Sequence, residues 1–161
     1  MRCEVLKSWV AVLAVLMFPA IPAQAQLTPN VPADQPARAI TTDQAPRFDA
    51  AIAPYTEQAR KTYPYAKARY LAGLPSGQTF FVTTRLTDRQ GHFEGVFIRV
   101  TKIADGKITG RIASEKLAVM GYQAGDDYTF PEVELVDWTI SKPDGSEEGN
   151  VVGKFLDTYR P

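Results

Sequence analysis

Cysteine and histidine are almost missing from this chain: Cys3 and His92 stand alone among 161 residues. The common nucleophilic and metal-assisted mechanisms draw on a thiolate, an imidazole or both, so they are poorly supplied. One imidazole and one distant thiol make no credible zinc site. Asp126 and Asp127 offer too few oxygens for calcium, which takes about six or more. A Gly-x-Ser-x-Gly elbow, a phosphate-cradling glycine loop and a dinucleotide fingerprint are also missing. The expectation is a chain with no cofactor and no bound metal. Net charge is lacking too, since 18 basic side chains oppose 18 acidic ones. No overall field recommends nucleic acid or an anionic membrane as a partner.

Nor is there a long hydrophobic run. Trp9 to Phe18 is the main apolar stretch, about half of the roughly 20 residues that cross a bilayer. It follows Arg2 and Lys7 and precedes Pro19, Pro22 and Ala23-Gln24-Ala25. That is the three-part layout of a secretion signal, with small residues at 23 and 25 for the peptidase and a cut before Gln26. Residues 1–25 are therefore expected to be a cleaved signal peptide, with no stable membrane anchor afterwards and a periplasmic or secreted product. Cys3 lies ahead of the apolar stretch, where a lipid anchor would not be placed, and leaves with the signal. The mature chain then has neither disulfide nor thiol, and its stability rests on packing.

Residues 26–46 carry Pro29, Pro32, Pro36 and Pro46 among small polar residues and read as a disordered, proline-rich tether. Residues 47–161 are long enough for one domain. Pro54 and Pro64 each suit the first turn of a helix, which predicts two short helices, Pro54 to Tyr63 and Pro64 to Ala72. Arg60, Lys61, Lys67 and Arg69 fall at different angles around them and read as solvated charge. From Gly77 the apolar period becomes two. Phe80, Val82, Thr84 and Leu86 mark one face of a strand, followed by strands over Phe93 to Ile103 and Lys107 to Ala113. Shorter strands are expected over Asp127 to Phe130, Leu135 to Ser141 and Val151 to Leu156. The predicted class is α+β, with N-terminal short helices packed on a strongly curved antiparallel β-sheet or partly open small barrel.

Several short motifs recur in order along this frame. They are Ala59-Arg60-Lys61-Thr62-Tyr63-Pro64, Glu94-Gly95-Val96-Phe97-Ile98, Gly110, Gly125-Asp126, Val136-Asp137-Trp138, Asp144-Gly145 and Gly149. Together, over about Ala50 to Leu156, they make the chain similar to the YegJ-like family of bacterial proteins, a domain of unknown function. The resemblance implies a compact α+β domain, sometimes exported, and no known reaction. Gly95 stands where that family tends to have histidine, Phe97 replaces its tryptophan, and Ser114 with Lys116 replaces an Asn-x-Pro.

Four residues are candidates for a site. Glu94 shares a strand face with Val96, Ile98 and Val100, so it points inward and needs a partner there. Asp137 beside Trp138 reads as a local cap next to a core anchor, or as a carboxylate beside a stacking ring that would suit sugars or cationic groups. Glu94 and Asp137 are the candidate catalytic pair; Phe97 and Trp138 are the candidate binding residues. His92, just after the Asp88 to Gly91 turn, reads as exposed. The leading functional expectation is a non-enzymatic binding or interaction module of the cell envelope, with an envelope protein or glycan as partner. The alternatives are a carboxylate-dependent hydrolase of an envelope glycan, which needs two carboxyl groups about 5–10 Å apart across a cleft, and a toxin-neutralising immunity-type protein.

Overall fold

The computed structural model describes residues 30–33, 38–115 and 117–159. The expected signal over residues 1–25, residues 26–29 and 34–37 of the expected tether, and Lys116 lie outside the described residues.

Period-two alternation builds the centre of the molecule. In β1 (Thr79–Thr87), Phe80, Val82, Thr84 and Leu86 are buried on one face, as their spacing predicts. β1 pairs antiparallel with β2 (Phe93–Ala104) on one side and β5 (Asp137–Ser141) on the other. β3 (Lys107–Ile112) and β4 (Asp127–Pro131) continue the sheet beyond β2, and β6 (Glu147–Gly149) continues it beyond β5. The order β4-β3-β2-β1-β5-β6 is an open six-stranded antiparallel sheet, so the fold is α+β without barrel closure. β6 escaped prediction because three residues are too short to display a period.

One helix, α1 (Ala45–Ala72), replaces the two short helices expected from the prolines. An interior proline removes a backbone hydrogen bond and usually breaks a helix, at about 3 kcal/mol or more. Pro54 and Pro64 are both exposed, and so are Ala50 and Arg60, whose carbonyls lose their amide partners. Water can satisfy those carbonyls. The opposite side buries Ile52, Ala59, Tyr63 and Ala66 against the sheet, a spacing that a helix gathers into one stripe. From β5, Trp138 Nε1 donates to the Ala59 carbonyl at 3.1 Å and to the Thr62 hydroxyl at 3.0 Å. Packing holds the helix through both prolines.

Val151 to Leu156 is not a strand but the start of a second helix, α2 (Val151–Thr158). The adjacent valines suggest extended chain. Yet Val152, Phe155 and Leu156 recur at helical spacing, and all three pack with Ile52, Phe48 and Tyr55 of α1 and with Val136. Tyr55 stacks on Phe155 with centroids 4.2 Å apart.

The stretch read as a tether is docked where it is described. Asn30 donates its side-chain amide to the Gly77 carbonyl at 2.9 Å. Val31 packs on Phe81, Phe97 and Ala113, a small cluster separate from the main core. Ile40, 4% exposed, forms a bridge with Phe93 through two backbone hydrogen bonds of 2.7 and 3.0 Å. Val31 thus sits on the sheet face opposite α1, while Ile40 extends the pairing at the start of β2.

Candidate functional site

Register separates the two candidate carboxylates. Glu94 lies opposite Leu86 and Asp137 opposite Thr83, both on β1. Positions 83 and 86 are an odd number of residues apart, so Glu94 and Asp137 emerge on opposite faces of the sheet. Each is also occupied. Glu94, 5% exposed, accepts hydrogen bonds from the amides of Ala118 at 2.7 Å and Val119 at 3.3 Å. It thereby pins the loop between β3 and β4 over the core, where Val119 is buried. Asp137 is fully buried and accepts from the amides of Trp138 at 2.7 Å and Val152 at 2.6 Å.

The second contact places a carboxylate at the N-terminus of α2, where free amides and the helix dipole favour negative charge. Asn150, which occupies the cap position, makes no side-chain capping bond there. Burial nevertheless dominates. It pushes the Asp137 carboxyl from 3.8 up to about 6, against the pull of the Val152, Trp138 and Gly153 amides and of Lys154.

The candidate binding residues are packed rather than presented. Phe97 sits edge-on to Phe81 beneath Val31, and its amide donates to Ser114 Oγ at 3.0 Å. Trp138 is 6% exposed and anchors α1. His92 is only half-exposed, with Nδ1 3.5 Å from the Asp88 carboxylate. Among the described residues no group of three histidine, cysteine, aspartate or glutamate side chains could hold a metal.

Three of the four cations read as solvated are fastened instead. Arg60 Nε donates to the Leu135 carbonyl at 2.8 Å. Lys67 pairs with Glu132 at 2.8 Å, and Arg69 pairs with Glu148. Tyr63 also donates to Glu132 at 3.0 Å, and burial followed by that contact raises its phenol above the usual value. These clasps tie α1 to β6 and to the short 3-10 turn Glu132–Glu134.

The open concavity lies elsewhere, beneath the N-terminal half of α1. It is a cleft of about 640 Å³ between Thr56, Glu57 and Arg60 on the helix, Thr84 on β1, Glu134 after β4, and the ring of Tyr128. Thr84 forms its floor, 1% exposed, with its hydroxyl donating to the Glu134 carbonyl at 3.3 Å. Tyr122 meets Tyr128 edge-on at 6.1 Å and donates to the Thr87 carbonyl at 3.1 Å. Burial, then the nearby Tyr122 and Glu134, raise the Tyr128 phenol above its usual value. Thr56 Oγ1 is shielded and has no hydrogen-bond partner among the described residues. Arg85 closes one end, paired with Asp49 and lying 4.3 Å over the Phe93 ring.

None of the cleft's polar residues stands out in sequence, because they come from four separate segments. The signal within reach was Tyr122 and Tyr128 flanking the Gly125-Asp126 turn. Asp126 does shape that turn, accepting from the Gln123 amide at 2.9 Å.

Comparisons with curated proteins and with solved structures give no match. A family model does match, over residues 49–157, the stretch that runs from the first turns of α1 to α2 and contains both Glu94 and Asp137. The chain belongs to a family of uncharacterised proteins conserved in bacteria, DUF2314.

Proposed function

We propose that this member of the family is an exported, non-enzymatic binding module of the bacterial envelope, and that its ligand occupies the cleft beneath the N-terminal half of α1. The observation that carries the reading is a contrast in how polar groups are used. Glu94 and Asp137 spend their oxygens on backbone amides, whereas the cleft presents carboxylate, hydroxyl and aromatic groups around an open volume of about 640 Å³. That volume lies in the range of about 300–1,000 Å³ typical of small-ligand sites. Tyrosine rings beside Glu57 and Glu134 suit a partner that carries hydroxyl and amino groups, an envelope glycan or a peptide segment. Export is supported by the three-part N-terminal layout ending at Ala25, and the ordered short motifs support placing the chain among the YegJ-like proteins.

The test is a titration of the isotopically labelled exported chain with soluble peptidoglycan fragments, followed by amide chemical shifts. Saturable shifts centred on Thr56, Thr84 and Tyr128, lost in Tyr128→Ala while the fold persists, are the expected outcome. Release of cleaved fragments during the titration, or no saturable shift at any of these amides, would overturn it.

A further inference from the structure

The sheet face away from α1 concentrates positive charge on the β2–β3 hairpin. By register Arg99 on β2 lies opposite Phe81, and Arg111 on β3 lies directly opposite Arg99, so both point to the side on which Val31 rests. Lys102 pairs with Thr109, and Lys107, Thr109 and Arg111 alternate onto that same side along β3. All four cations are exposed.

Lys102 belongs to this face because β2 is irregular. Positions 99 and 102 are three apart, a spacing that in a regular strand sends side chains to opposite faces. The register with β3 shifts between Val100 and Lys102, leaving Thr101 as an extra residue. Thr101 and Lys102 are therefore exposed in succession, and Ile103 returns to the core. A bulge re-aims side chains in this manner. Without it the ammonium group would be directed into the core.

The charges are poorly compensated within the fold. Arg99 and Arg111 stand directly opposite each other, where like charges destabilise a strand pair. Arg99, Lys102 and Lys107 make no ion pair among the described residues. Arg111 reaches Asp127 at 3.3 Å, but the two side chains are 63% and 78% exposed, so the pair offsets little. Asp127 is the one carboxylate that β2, β3 and β4 place on this side, and Asp105 lies in the hairpin turn. The whole chain balances 18 basic against 18 acidic side chains, so the patch is a local separation of charge. Thr101, Thr109 and Thr129 add hydroxyls around it. The large exposed apolar side chains among the described residues, Tyr65, Leu71, Met120 and Val133, lie elsewhere.

We propose that this face docks on an anionic bilayer surface, with its four cations among lipid phosphates. Charge complementarity selects the occupant: cations spread over a hairpin match a two-dimensional field of phosphates, each worth about 1 kcal/mol near such a surface. The face presents no exposed ring on which a nucleic-acid base could stack. Nothing enters the hydrocarbon, so the contact is electrostatic and reversible. It is independent of the cleft beneath the N-terminal half of α1.

Co-sedimentation of residues 26–161 with vesicles tests the proposal. Vesicles containing phosphatidylglycerol should carry the protein down at low salt, pure phosphatidylcholine vesicles should not, and about 1 M salt should release it by screening beyond about 3 Å. Arg99→Gln and Lys102→Gln should each lower the partition coefficient about fivefold. Both side chains are exposed, so neither change threatens the fold. Lys61→Gln, the same loss of charge at an exposed position of α1, should leave partition unchanged. Equal sedimentation with phosphatidylcholine, retention in high salt, or unchanged partition in both face variants would overturn the proposal. So would an equal loss in Lys61→Gln, which would show an effect of net charge alone. Displacement from the vesicles by duplex DNA at matched phosphate concentration would assign the face to nucleic acid instead.

Discussion

The amide of Val152 donates to Asp137 Oδ2 at 2.6 Å, so the first turn of α2 is capped by a fully buried carboxylate from a neighbouring strand. The bond couples a surface helix to the sheet interior through a titrating group. Since burial raises the carboxyl from 3.8 to about 6, the native state binds the proton more tightly than the unfolded chain. Stability from this group is therefore fully present below about pH 3.8 and is lost as pH rises through 6, by roughly 3 kcal/mol in total. Urea unfolding of residues 26–161 should show a falling midpoint across that window, and Asp137→Asn should flatten it. An unchanged pH slope in the variant would refute the linkage.

Glu94 is expected to matter for a loop. Glu94→Ala leaves the part-buried amide of Ala118 and the buried amide of Val119 without their acceptor, a loss of about 2–3 kcal/mol. Hydrogen exchange should accelerate first at Val119, before global unfolding does.

Trp138 holds α1 through its indole donor. Trp138→Phe keeps much of the ring surface but leaves the Ala59 carbonyl and the Thr62 hydroxyl without that donor, which should lower stability by about 1–3 kcal/mol. Circular dichroism during denaturation measures the effect. Thr62→Val, which removes only one of the two acceptors, should fall between the wild type and Trp138→Phe.

Two glycines with similar backbone angles should respond differently to alanine. Gly145 has φ +80° and open space around a would-be Cβ, so Gly145→Ala carries only the left-handed penalty of about 1 kcal/mol. Gly149 has φ +77°, and a Cβ there would collide with the Trp138 carbonyl and indole. Gly149→Ala should cost distinctly more, because the rigid pair β5 and β6 must part to admit the methyl group. Thermal unfolding of both variants side by side reads the difference.

The central strands were legible because their apolar residues alternate without interruption, as Phe80 to Leu86 show. The helices were harder. Proline chemistry argued for a break at Pro64, and only tertiary contacts such as Trp138 with Ala59 explain why α1 continues. Val151 and Val152 carry strand propensity, but the cap from Asp137 and the packing of Phe155 on Tyr55 decide for helix. The inward turn of Glu94 could be read from its register with Val96 and Ile98, and its need for a partner followed from burial. That its partners are loop amides depends on where the chain returns from β3. Asp137 beside Trp138 reads in sequence as a local cap or as chemistry, but the helix it caps carries the adjacent valines of a strand.

The sheet's two free edges bear on how any partner could be recognised. β4 offers five residues ending in Pro131, and β6 offers three, two of them the glutamates 147 and 148. Short, charged or proline-terminated margins discourage another chain from joining as an added strand. Recognition of a partner is thereby directed away from main-chain zippering and toward side chains, so selectivity should reside in the identity of a few groups such as Tyr128 and Glu134. Single substitutions at those positions should change what is bound without disturbing how the chain folds.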